Sequence, residues 1–193
     1  MNETRSRESK HAIILAAASD LFDGRRFDEV TLDEIAVAAG VGKGTLYLYF
    51  KNKEDLFAEM AVEGMNEMAG RIHEIRTMDG SYKDRLFLFG SEFSAFLARR
   101  HGMMRVMHQM QSELVNRKFH KHLSGIISAI QALLQAGIEE KVLRREFKVE
   151  ELRCALVGPL LLKIRREMSA GEKIEVIPLL NFFWDAAAVE TNR

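Results

Sequence analysis

The chain has 193 residues, and its 28 Lys and Arg balance 28 Asp and Glu to a formal net charge of zero. That balance argues against a nucleic-acid binder that is basic all over, without excluding one whose charge is segregated. Apolar residues at 47% and charged ones at 29% describe a folded globular chain, and the single cysteine, Cys154, excludes an internal disulfide framework and a cysteine-rich zinc site.

Two prolines in the whole chain leave room for long helices. The opening MNETRSRESK lacks the apolar run of a signal peptide, and no stretch approaches the roughly 18 apolar residues of a membrane span. The expectation is a cytoplasmic chain with no membrane partner.

Residues 8–22 place Ile13, Ile14, Ala17, Leu21 and Phe22 in a three-four rhythm, which predicts a first helix stopped by Gly24. Thr31-Leu-Asp-Glu34 is a capping box, and it starts a short helix from about Leu32 to Ala39, ended by Gly40. Gly42 and Asn52 bracket a third segment, Lys43 to Phe50. Asn52 is the N-cap of a fourth helix running from Lys53 to about Ile75. Later helices are predicted near 82–100, 102–114, 117–140, 149–169 and 174–190, with Gly137, Gly158-Pro159 and Ala170-Gly171 as punctuation. No segment alternates with period two. The fold class is all-α, with about nine helices.

Two short helices joined by Ala39-Gly-Val-Gly-Lys43 form the pattern of a helix-turn-helix. On the second of them Leu46 and Phe50 lie four apart and can face the core, which leaves Lys43, Gly44, Thr45, Tyr47, Leu48 and Tyr49 for other surfaces. From Val41 to Lys53 there are three Lys and no acid, or +3, while residues 54–68 carry five acids and no base, or −5. The zero net charge hides a basic head beside an acidic stem. Lys43 and Thr45 suit base edges or phosphates, Tyr47 and Tyr49 can donate to phosphate oxygens, and Lys53 can reach the backbone. Thr31 can touch a phosphate where it caps its helix. Leu48 can meet a thymine methyl, but packing against a neighbouring helix is the favoured role.

The string T-L-D-E-I-A-x-A-A-G-V-x-K-G-T-L-Y-x-Y-F-K-N-K-E-D-L-F resembles the DNA-binding domain of the TetR (tetracycline repressor) family of transcriptional regulators over residues 9–60. Gly42 departs from that pattern, where the family usually has Ser or a similar cap. The resemblance implies a helix-turn-helix domain over 1–52 and a ligand-binding and dimerisation domain over 53–193. It implies a homodimer on a palindromic operator, released by a small-molecule effector, with Thr31, Lys43, Gly44, Thr45, Tyr47, Tyr49 and Lys53 at the DNA.

Beyond residue 75 the residues speak less clearly. Phe89, Phe93 and Phe96, with Met103, Met107 and Met110, can be core or the lining of an apolar effector cavity. The +5 stretch 99–122, six bases against one acid, reads as a solvated face, and its histidines lack the companions that a metal site needs. Leu156, Leu160, Ile164, Leu180, Phe183 and Trp184 lie on two helices broader in apolar surface than one core face needs, and they are the expected dimer contacts. No Gly-rich phosphate loop, nucleophile elbow or paired-carboxylate site points to an enzyme, and no cofactor is expected. The competing reading is a regulator-like helical module that acts through a protein partner without a small-molecule effector.

Overall fold

The structure is a computed structural model and is described for residues 2–22, 25–99 and 113–189, with side chains described over 10–22, 25–98 and 121–189. Among these residues there are eight α-helices: α1 (Asn2–Phe22), α2 (Leu32–Ala38), α3 (Lys43–Tyr49), α4 (Lys53–Thr77), α5 (Tyr82–Arg99), α6 (Glu113–Glu139), α7 (Val149–Ala170) and α8 (Ile177–Ala187). A single 3-10 turn, Phe27–Glu29, lies between α1 and α2. The only β feature among the described residues is an isolated bridge between Leu143 and Ala188. None of the helices in the described residues is long and apolar enough to cross a membrane.

The caps explain the N-terminal boundaries. Thr31 Oγ accepts from the Glu34 amide at 3.2 Å while the Glu34 carboxylate accepts from the Thr31 amide at 2.8 Å, so the capping box closes. Gly40 has φ +63, a left-handed conformation that turns the chain out of α2 at no steric cost to glycine. Gly42 caps α3 with no side-chain bond, as its lack of a hydroxyl dictates. Asn52 Oδ1 accepts from the Asp55 amide at 2.8 Å and starts α4.

Later boundaries differ from expectation for local reasons. Helix α8 begins at Ile177 rather than near 174, because Pro178 is tolerated only in a first turn. Gly137 does not interrupt α6, which runs on to Glu139. A Cβ there would collide with the Tyr82 ring, so this glycine serves close packing. The helix expected at 102–114 falls up to residue 112 outside the described residues, as do Met103, Met107 and Met110, and α6 is described over Glu113–Glu139.

The chain divides into two compact units, the first holding Met1–Met65 with Arg99–His122 and the second Asn66–Ala98 with Leu123–Arg193. Why the first unit takes the start of α4 is visible in its core. Phe57, on the second turn of α4, meets Phe22 edge-on at 5.4 Å and Phe27 at 5.3 Å, and those two stack at 5.8 Å. Leu56, Phe57, Met60 and Ala61 are all buried with Ile14, Leu15, Ile35, Leu46 and Phe50, so the start of α4 belongs to the helix-turn-helix core. Removing one such ring costs about 3–5 kcal/mol.

The second unit buries Ile72, Leu86, Phe89, Leu133, Leu160 and Leu180 among others. Arg71 grips Glu92 with two bonds of 2.7 Å, tying α4 to α5. Arg85 donates to the Arg76 carbonyl and to Glu140 at 2.6 Å each, tying the ends of α4, α5 and α6. Tyr82 donates to the Leu133 carbonyl at 3.1 Å, and burial pushes its phenol above the usual tyrosine range.

Candidate nucleic-acid interface

Helix α3 spans only seven residues, about 10 Å at 1.5 Å per residue, which fits a major groove about 12 Å wide. Its inner edge is set by Leu46 and its C-cap Phe50, both fully buried. Its outer face carries Lys43, Gly44, Tyr47 and Leu48, all exposed, with Tyr47 48% exposed. Thr45 and Tyr49 are half-buried at the margins. Leu48 is 79% exposed, so it does not pack on a neighbouring helix as expected, because the core stripe is filled by Leu46 and Phe50.

Lys43 and Lys53 have partners within the chain. Lys43 Nζ donates to Asp33 Oδ2 at 2.8 Å, across the turn between α2 and α3. That carboxylate pushes the Lys43 ammonium above the usual lysine range. Lys53 is turned inward. Its ammonium donates to the carbonyls of Phe27 at 2.5 Å and Val30 at 2.8 Å and sits 4.2 Å over the Phe27 ring, while burial lowers its pKa. It clips the 3-10 turn to the start of α4. Thr31 Oγ donates to Glu34 at 2.9 Å, and the Thr31 bonds hold the Glu34 carboxyl below its usual range, assisted by Arg25 at 3.2 Å.

Two supports of α3 escaped the sequence reading. Asp33 is one. The other is His11 on α1, whose Nε2 donates to Glu59 of α4 at 2.8 Å. The imidazole stacks on Phe50 at 5.1 Å and lies 6.1 Å from Tyr49. This fixes the end of α3 against two other helices. Periodicity marks His11 only as one more polar residue, and nothing local pairs it with a glutamate 48 positions away.

In the second unit Phe89 and Phe93 are buried and stack at 5.4 Å, and Phe96 stacks on Phe93 at 6.4 Å. They form an aromatic row that runs from the core at Phe89 and Phe93 to the half-buried Phe96. A groove of about 640 Å³ lies elsewhere, lined by Ser91, Ser94, Ala95 and Ala98 of α5 and by 173–178. Leu156, Leu160, Ile164, Leu180 and Phe183 are buried within the single chain, and Trp184 stacks on Tyr82 at 6.4 Å. The first five therefore face the core of their own unit, and Trp184 is half-buried at its edge. The exposed residues are their neighbours Leu161, Leu162, Ile177 and Phe182.

A short exposed helix held across a tight turn, with a basic and polar outer face, is the reading element of a helix-turn-helix DNA-binding regulator. Residues 14–60 match the model of the bacterial regulatory proteins of the tetR family. Those residues carry the N-terminal domain of that family of transcriptional regulators. It is 26% identical over 180 residues to the fatty acid metabolism regulator protein of Bacillus subtilis (strain 168), covering 92% of this chain and 93% of the relative. The fold is also that of the regulator FadR from Bacillus subtilis in complex with stearoyl-CoA, with TM-score 0.70, 24% identity and coverage of 90% and 95% of the two chains. Reduced NemR of E. coli is likewise similar, with TM-score 0.79, 19% identity and coverage of 95% and 100%. At these identities the two structures speak for the fold.

Proposed function

We propose that the chain is a homodimeric repressor that binds a palindromic operator and is released by a long-chain acyl thioester such as an acyl-CoA. The exposed outer face of α3 carries this reading: a helix that presents Lys43, Gly44, Tyr47 and Leu48 outward has no packing role left for them. Lys43, Thr45, Tyr47 and Tyr49 contact bases and phosphates, Thr31 lies at the α2 N-terminus, and Lys53 acts by holding the turn that positions them. One seven-residue helix reads too few base pairs for a unique site, so two copies related by a two-fold axis are needed.

The dimer uses α7 and α8, where Leu162 is 71% and Phe182 74% exposed. Two copies bury these side chains, and the residues first expected there lie directly beneath as the supporting core. The effector class rests on the full-length similarity to a fatty acid metabolism regulator. An apolar acyl chain suits a helical unit with a row of phenylalanines.

The test is a mobility shift of the purified protein on DNA from upstream of its own gene, with and without stearoyl-CoA. A sequence-selective shift is expected, weakened by stearoyl-CoA about 5–150-fold, the usual span of such coupling. Free CoA should have no effect. Failure to select any sequence defeats the regulator reading, whereas selection with no response to stearoyl-CoA defeats only the effector class.

A further inference from the structure

Two observations on α3 remain unexplained by DNA binding in general. Leu48 stands 79% exposed on the reading face, in a segment whose charge is wholly basic. Gly44 lies one turn before it, four residues away and on the same side. Nothing among the described residues asks for glycine there. Its backbone is helical, and a Cβ added to it would meet no atom within 4 Å. Glycine is the poorest helix former after proline, so α3 carries a weak residue in its first turn without an internal reason. The bare position and the leucine together make a shallow apolar notch: backbone on one side, an isobutyl group on the other.

On base-pair edges in the major groove one apolar group is available, the C5 methyl of thymine. Lys51 and Lys43 are exposed beside the notch and favour a polyanion, although Asp33 partly offsets Lys43, and a helix this short can enter the groove to the base edges. We propose that Gly44 and Leu48 form a thymine-reading notch that seats one C5 methyl in each half-site. The absence of a side chain at Gly44 lets the α3 backbone approach the base edge, and Leu48 covers the methyl from solvent. This inference rests on the DNA-reading function proposed above.

The experiment uses duplexes that the full-length protein itself enriches from a random-sequence library. Each thymine in the enriched consensus is then replaced by deoxyuridine, which removes one methyl and keeps every hydrogen bond. Wild-type protein should lose about fourfold in affinity per half-site at one thymine position, the worth of one buried methyl. Leu48→Ala should bind thymine and deoxyuridine duplexes alike, with a melting temperature within about 1 °C of wild type. Gly44→Ala should raise the melting temperature by about 1–3 °C yet weaken binding on the order of tenfold, so that stability and affinity move in opposite directions. Indifference of the wild type to every deoxyuridine, discrimination that survives in Leu48→Ala, or full affinity in Gly44→Ala overturns the notch. Enrichment of no sequence at all overturns the regulator reading and this one with it.

Discussion

Helix α3 and the α7–α8 pair both leave apolar side chains in solvent, and they do so in different patterns. On α3 a single leucine stands among Lys43, Gly44 and Tyr47 on a helix of seven residues. On α7 and α8 Leu161, Leu162, Ile177 and Phe182 are exposed on helices whose inner faces bury Leu156, Leu160, Leu180 and Phe183. A lone leucine in water is ordinary and can serve as a fine probe of a partner's shape. Four on two adjacent helices form a surface that asks for a large cover. The difference teaches that exposure, more than hydrophobicity, separates the surface for a partner from the core of the chain.

The largest expected effect lies on the second surface. The double change Leu162→Glu and Phe182→Glu puts two carboxylates into each copy's outer face. It should leave the helices folded, convert a dimer to a monomer in sedimentation, and lower operator affinity by about 100-fold or more, because linked half-site binding is lost. Leu160→Ala, on the inner face of the same helix, should instead cost about 2–5 kcal/mol of stability with the assembly state unchanged. A double variant that remains dimeric would break the distinction between the two faces.

Lys53 gives the next effect. Two carbonyls hold its ammonium, so Lys53→Ala should cost about 1–3 kcal/mol of stability, read as a lower melting temperature. The slope of log affinity against log salt should hardly change. A slope reduced by about 0.9 with unchanged melting would show a phosphate contact in place of a clip. Asp33→Asn should do the reverse at a smaller scale. It frees Lys43 and removes an acid from the reading face, so affinity for any duplex should rise a few-fold and the salt slope steepen by up to about 1.

These cases also mark what could be read before the structure. Helices α2, α3 and α4 fall within a residue or two of their expected bounds, since Thr31, Glu34, Gly40, Gly42 and Asn52 announce them chemically, whereas α1 extends to Asn2, six residues before its expected start. The charged partners could not be read. Lys43 has Asp33 and Glu34 at comparable sequence distance, and only the turn geometry selects Asp33. Lys53 finds backbone carbonyls, which carry no sequence signature. On α7 the run from Leu160 to Leu162 is apolar on every side, so periodicity finds a helix and a core stripe but not which leucine is left outside. Pro159, expected as punctuation, lies inside the helix Val149–Ala170.

The smallest effect compares the two units through one carboxylate in each. Glu34 is held below its ordinary value of 4.5 first by the Thr31 amide and hydroxyl, and Glu167 first by Lys163 at 2.5 Å, with the Glu175 amide adding to it. A carboxyl lowered in the folded state binds fewer protons there than in the unfolded chain. Its contribution is therefore complete above about pH 4.5 and is lost as pH falls through the lower folded value. Acid should weaken both units, each through its own carboxylate. The one tryptophan, Trp184, reports only on the second unit, and far-ultraviolet circular dichroism reports on both. Glu167→Gln should flatten the acid dependence of Trp184 emission while Glu34→Gln leaves it unchanged. Glu34→Gln should flatten only the part of the helical signal that Trp184 does not follow, since glutamine can still accept from the Thr31 amide but no longer titrates. If either variant altered the acid response of both signals equally, the two units would unfold as one, and the contrast between reading head and C-terminal body would be one of surface alone.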